Sequence, residues 1–204
     1  MSSSTSEAYI RQRLADGEAS TRDERWDDAI CCYADVLESL IKLSDELGIA
    51  RIQLRIGQVY EQSGRPTQAV EHYTLVEQAA ARLRDRQLES TALHRLGHVL
   101  RMTSPDQARE MFRRSLDLGT PDQEANCLSL AMIGQIDFTA GDHRRGLATM
   151  LEAVNSMPEE TESRGHLIEH IVYFGGKLER DKYVQLVEQH ISDVSLAKRL
   201  RSPQ

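Results

Sequence analysis

The chain has 204 residues and a mass of 23.1 kDa; 40% of the residues are apolar, 28% charged and 5% aromatic, enough for one sizeable core or a short repeat array. A net charge of −7 argues against a general nucleic-acid-binding surface, and five prolines with twelve glycines exclude a loop-rich β protein. The longest uncharged stretch, residues 125–136, falls short of a bilayer span, and residues 1–6 lack the apolar core of a secretory signal.

Residues 1–6 are expected to be disordered, and a helical pattern starts at Glu7. The first helix pair, 7–22 and 26–46, carries Gly17 and Ala19, then Trp26-Asp27-Asp28-Ala29, Tyr33 and Val36. Arg13, Ser20 and Thr21 stand where a buried helix would be apolar, which suits a polar end cap. Trp26 is placed to pack at the first inter-helix turn. In the second pair, 48–63 and 66–84, Ile52, Ile56 and Tyr60 form one apolar stripe around Gly57, and Ala69, Tyr73 and Val76 share a face.

The third pair, 87–102 and 105–117, repeats the skeleton as Leu96-Gly97, Leu100, Ala108, Phe112 and Ser115. Ser104-Pro105-x-Gln107 and Thr120-Pro121-x-Gln123 each read as an N-cap, a first-turn proline and a capping-box partner. The fourth pair, 121–139 and 143–155, carries Ile133-Gly134, Gly146, Met150 and Ala153, with Asp142 as the cap of its second helix. A fifth, 161–175 and 181–194, lacks the glycine but keeps Ile171, Phe174, Tyr183 and Val187. There Val184, Val187, Ile191 and Val194 continue one apolar stripe toward Ala197, so the last helix is expected to extend as a cap before Lys198-Arg199-Leu200-Arg201.

Glycines 17, 57, 97 and 134 lie 40, 40 and 37 residues apart. A glycine inside a helix costs up to about 1 kcal/mol against alanine, so its recurrence demands close helix approach. This skeleton resembles the tetratricopeptide repeat (TPR): an apolar–Gly–x–x–aromatic helix followed by an Ala–x–x–x–aromatic helix. The resemblance covers roughly residues 7–194, and its 37–40 residue period resembles the long repeats of kinesin light chains and of several bacterial peptide-sensing regulators. It implies an all-α, right-handed α-solenoid of about five repeats, at 7–47, 48–85, 86–119, 120–157 and 158–194. A polar N-terminal cap, a C-terminal capping helix and a basic tail at 195–204 complete the expected organisation.

Cys31, Cys32 and Cys127 make no disulfide framework, which points to a reducing, cytoplasmic setting. No phosphate loop, Gly-x-Ser-x-Gly, His-Glu-x-x-His or paired C-x-x-C motif is present, so neither enzyme activity nor a cofactor is expected. In the family the working surface is the concave groove, built from the first helix of each pair. Positions six and three before the glycine, and one and four after it, share a face. They are Arg51, Leu54, Gln58 and Glu61 in repeat two, Thr91, His94, His98 and Arg101 in repeat three, and Leu128, Ala131, Gln135 and Phe138 in repeat four. Repeat one supplies Arg11, Leu14, Glu18 and Thr21, and repeat five Gly165, Ile168, Val172 and Gly175.

That groove reads as basic and polar through Arg51, His94, His98 and Arg101, then apolar through Leu128, Phe138, Ile168 and Val172. A peptide with acidic residues beside an apolar anchor complements it; alternatively, the chain's own C-terminal helix covers the apolar end. Leu14 and Glu18 stand where chaperone adaptors carry a lysine–asparagine clamp, which argues against a chaperone-tail ligand. His94 and His98 at i, i+4 lack a third metal ligand, so no metal is expected, and His170 is placed at a packing position. The methionines, Met102 among them, read as core filler. Arg82, Arg84, Arg86, Arg109, Arg113 and Arg114 form a basic stretch, read as a solvated face or a docking site for an acidic partner.

The resulting expectation is a non-enzymatic scaffold or adaptor that binds a peptide or helix of an unidentified partner protein, without nucleic acid or membrane. The alternatives are a self-assembling structural protein, hence a homo-oligomer, and a peptide-sensing regulatory protein.

Overall fold

The computed structural model describes residues 3–201, and among these it contains eleven helices and no strand. They form two compact units, divided after Leu100.

In the first unit, α1 (Ser3–Arg22), α2 (Trp26–Lys42), α3 (Glu46–Gln62), α4 (Pro66–Leu83) and α5 (Arg86–Leu100) each pack on their neighbour in sequence. Helix α1 thus begins inside the segment expected to be disordered; Met1 and Ser2 lie outside the described residues. The first four helices end in the same closure. Glu24, Ser44, Gly64 and Arg84 take left-handed φ values of 58°, 54°, 73° and 58°. The next amide then returns to a carbonyl five residues back: Arg25 to Ser20, Asp45 to Leu40, Arg65 to Tyr60 and Asp85 to Ala80.

These left-handed residues follow one another at intervals of 20, so a helix with its turn takes 20 residues and a pair takes 40. That is the origin of the long period. Among the four, Gly64 alone meets the left-handed geometry without a Cβ penalty of roughly 1–2 kcal/mol. Glu24 is exposed and its side chain makes no hydrogen bond or ion pair among the described residues. Glu24→Gly is therefore expected to stabilise the protein by about 1 kcal/mol, measured as a higher denaturation midpoint. A lower midpoint would contradict this account of the turns.

The recurring glycines admit an aromatic ring. A Cβ on Gly17 or Gly57 would stand 2.7 or 2.6 Å from a ring carbon of Tyr33 or Tyr73, both buried on the following helix. Around them, Ala29, Val36 and Leu40 of α2 pack with Ile52, Ile56 and Val59 of α3, and Trp26 packs against this cluster as expected. Ala50 joins Val76, Ala80, Leu88 and Ala92 in a second cluster.

The second unit contains α6 (Pro105–Asp117), α7 (Gln123–Thr139), α8 (His143–Ser156), α9 (Glu162–Gly175), α10 (Arg180–His190) and α11 (Val194–Arg201). Helices α7 and α8 meet backbone to backbone, since a Cβ on Gly134 would stand 2.6 Å from the Gly146 carbonyl oxygen. The core runs through Leu147, Met150, Leu151 and Val154 of α8, Ile171 of α9, Val187 of α10 and Leu200 of α11.

Several boundaries differ from expectation for local reasons. Helix α7 starts at Gln123 because Asp122 caps it, accepting from the Ala125 amide at 3.0 Å. Thr120 is instead buried, and its carbonyl accepts from Asn126 Nδ2 at 2.9 Å. Gln123 does not close a capping box, because its Nε2 donates to the Ser156 carbonyl at 2.6 Å. Ser104 precedes α6 without a side-chain cap bond, whereas Asp142 caps α8 by accepting from the Arg145 amide at 3.2 Å.

The terminal apolar stripe is broken. Helix α10 stops at His190, Ile191 turns extended and buried, and Asp193 starts α11 by accepting from the Leu196 amide at 2.9 Å. Val194 is left 78% exposed. The short helix α11 packs on α9 and α10, and the Tyr183 hydroxyl donates to the Leu200 carbonyl at 2.9 Å. Burial pushes the Tyr183 phenol up to about 12. The fifth pair also has a close-approach glycine that the register hid, Gly175, set against the Tyr183 ring.

Candidate functional site

The first unit brings its first-of-pair helices into side-chain contact across one face. Arg55 of α3 pairs with Glu18 of α1 at 2.9 Å, and His98 Nδ1 of α5 lies 2.9 Å from Glu61 Oε1 of α3. Arg95 approaches the same carboxylate at 3.6 Å, and the Tyr73 hydroxyl donates to it at 2.6 Å. Glu61 thus ties α3, α4 and α5 together while its own side chain is only 17% exposed.

Burial pushes the Glu61 carboxyl up, but the hydrogen bonds from His98 and Tyr73 and the charge of Arg95 outweigh it and hold the group below its ordinary value. Burial and the Glu61 carboxylate together push the Tyr73 phenol well up. A depressed folded value means that ionised Glu61 contributes stability above the ordinary carboxylate range, and loses it as pH falls through the folded value. The melting-temperature gap between wild type and Glu61→Gln is therefore expected to narrow below about pH 4.5. A gap independent of pH would contradict the ion-pair account.

Beside these contacts, a cleft of about 320 Å³ opens between α1 and α3, lined by Glu18, Thr21, Arg22, Arg55, Gln58 and Gln62 over a floor of Tyr33 and Val59. Glu18, Thr21 and Gln58 are three of the positions that the register assigns to one face. The register missed Arg22, Arg55 and Arg95. Arg55 and Arg95 each stand two residues before an anchor glycine, a recurrence that could have revealed them. Arg51 is exposed, Leu54 packs partly onto the cluster of Ala50, Val76 and Leu88, and Thr91 Oγ1 bonds back to the Gln87 carbonyl at 2.9 Å. His94 is half-buried.

In the second unit, Arg101 Nη1 donates to Gln135 Oε1 at 3.2 Å, and Gln135 Nε2 lies 3.4 Å from His170 Nδ1. His170 is exposed there, contrary to the packing position expected. Leu128 is half-buried against the core. Ala131 and Phe138 are not groove residues: they are 2% and 3% exposed. The Phe138 ring sits 4.7 Å from Phe174 and 4.5 Å from His143, because the close approach at Gly146 draws α8 directly against Phe138. The apolar end of the expected groove is largely core, and Ile168 is buried in it as well.

Other candidates resolve locally. Arg109 does not face solvent freely but pairs with Asp137 at 2.8 Å and Asp106 at 2.7 Å. Met102, expected as core filler, is 83% exposed. Burial pushes the thiols of Cys32 and Cys127 up, away from the reactive thiolate. Among the described residues no group of three or more His, Cys, Asp or Glu could hold a metal ion, and no helix is long and apolar enough to cross a membrane.

Comparison with known proteins places the repeat. Residues 48–120 match a tetratricopeptide repeat family model. No curated protein matches the chain. Among solved structures, the chain is similar to putative kinesin light chain nearly identical TPR-like repeats from Podosopora anserina, at 14% identity and a TM-score of 0.66, over 94% of this chain and 93% of that one. It is also similar to MamA protein, at 18% identity and a TM-score of 0.53, over 89% of this chain and 93% of that one. At these identities the likeness concerns the fold. Residues 48–120 thus match the tetratricopeptide repeat model, and the chain as a whole has a TPR-like helical repeat fold.

Proposed function

We propose that the protein is a non-enzymatic interaction module whose first unit binds an acidic segment of a partner protein along the face of α1, α3 and α5. The cleft between α1 and α3 carries this reading. It is open, about 320 Å³ in volume, and bordered by Arg22, which makes no ion pair among the described residues. Arg51 is likewise exposed and, among the described residues, unpaired, and it shares the α3 face with Arg55 one turn on. Arg22, Arg51, Arg55 and Arg95 therefore outweigh Glu18 and Glu61 on this face, in a chain whose overall charge is −7. A basic face on an acidic protein selects acidic ligands through both encounter rate and complementarity.

The buried Phe138 removes the apolar anchor from the expected ligand, so charge and polar contacts carry recognition. The test is an array of peptides of about ten residues with acidic, neutral and basic composition, read by fluorescence anisotropy. Acidic members are expected to bind with a salt-dependent affinity that falls about tenfold in Arg22→Glu/Arg51→Glu. Both substitutions are on exposed side chains, so folding is preserved. Equal binding of basic peptides, or an unchanged double variant, would remove the proposal.

A further inference from the structure

The second unit holds a separate cleft of about 400 Å³ in the angle between the start of α9 and α11. Its floor is apolar, made by Ile168 and Leu196, 5% and 6% exposed. Two guanidinium groups line it, Arg164 of α9 and Arg199 of α11. Arg164 Nε is buried with no hydrogen-bond partner, and the nearest acid, Glu159, stands 3.9 Å from Nη1, beyond hydrogen-bond reach. Arg199 is exposed and has no hydrogen bond or ion pair among the described residues. Gly165 leaves the middle open, since a Cβ there would meet nothing within 4 Å.

We propose that this cleft binds the free carboxylate of an apolar amino-acid residue, at a peptide's C-terminus or in a free amino acid. A carboxylate offers acceptors to the two guanidinium groups that line the cleft, Arg164 and Arg199, at once. The apolar side chain beside it covers Ile168 and Leu196, and the cleft has room for a leucine-sized residue. Glu159 and Asp193 also line the cleft, which disfavours a doubly charged phosphate and suits a single negative charge next to a donor. In a free amino acid that donor is the ammonium; in a peptide it is the backbone N–H. The site shares no residue with the face of the first unit, so either proposal stands if the other fails.

The test is a titration of the full ¹⁵N-labelled chain with N-acetylleucine, leucine and N-acetylleucinamide, followed through the amide signals of Gly165, Ile168 and Leu196. N-acetylleucine is expected to shift them saturably, with N-acetylleucinamide and the Arg199→Gln variant each about tenfold weaker. Leucine binding more tightly than N-acetylleucine identifies the free amino acid as the source; the reverse, or equality, identifies a peptide terminus. Arg199 is exposed, so its variant folds even if Arg164→Gln does not. The proposal is overturned if the carboxylates produce no saturable shift, if the amide binds equally well, or if Arg199→Gln binds unchanged.

Discussion

Replacing Phe138 by alanine is expected to destabilise the second unit by about 3–5 kcal/mol, the range for removing a buried aromatic side chain. The ring is 3% exposed and is enclosed by Phe174 at 4.7 Å and His143 at 4.5 Å. Deleting it opens a cavity between α7, α8 and α9 that cannot close, because Gly134 and Gly146 already hold α7 and α8 at backbone contact. Phe138→Leu keeps most of the volume and is expected to cost about 1 kcal/mol. Amide exchange at Leu147, Ile171 and Phe174 reads this unit directly, whatever the rest of the chain does. Full protection retained in Phe138→Ala, together with weakened peptide binding, would return Phe138 to the surface role that register alone assigned it.

Phe138 also shows where sequence reasoning reached its limit. The anchor glycines, the small–aromatic pairs and the order of helix pairs were all legible, because each follows from periodicity and from the cost of glycine within a helix. The left-handed turn residues were less so. Gly64 announces itself, whereas Glu24, Ser44 and Arg84 occupy the same conformation without any local signal. Register places four positions on one face but does not say which part of that face a neighbouring helix covers. In the first unit, Glu18, Thr21 and Gln58 line an open cleft. In the second, Phe138 occupies the position equivalent to Thr21 and Glu61 and is buried. The difference lies in Gly146 on the partner helix, which permits a closer approach than the Ala69 of the second repeat. The separate start of α11 was hidden for a related reason: the apolar stripe ran through Ile191, but the Asp193 cap starts a new helix and leaves Val194 in solvent.

The second large effect concerns a charge that the sequence placed in solvent. Arg109 belongs to a basic stretch, yet its Nε donates to Asp137 Oδ1 at 2.8 Å, and that carboxylate is 4% exposed. Arg145 Nε comes within 3.2 Å of Oδ2 but without hydrogen-bond alignment, so Oδ2 is left without a hydrogen bond. Asp137 thus joins α6, α7 and α8 through one strong bond and one loose contact. Arg109→Leu strands the carboxylate and is expected to cost about 3–5 kcal/mol, whereas Arg145→Leu, on an arginine that is 63% exposed, is expected to cost under about 1 kcal/mol. Asp137→Leu leaves Arg109 still paired with exposed Asp106 at 2.7 Å, so it is expected to cost less than Arg109→Leu. Combining Arg109→Leu with Asp137→Leu replaces the pair with apolar volume and should recover most of the loss. Urea denaturation of the four variants measures the coupling. A double variant as unstable as the sum of its singles would mean that Arg109 and Asp137 act independently, and that α6 is held to α7 by packing alone.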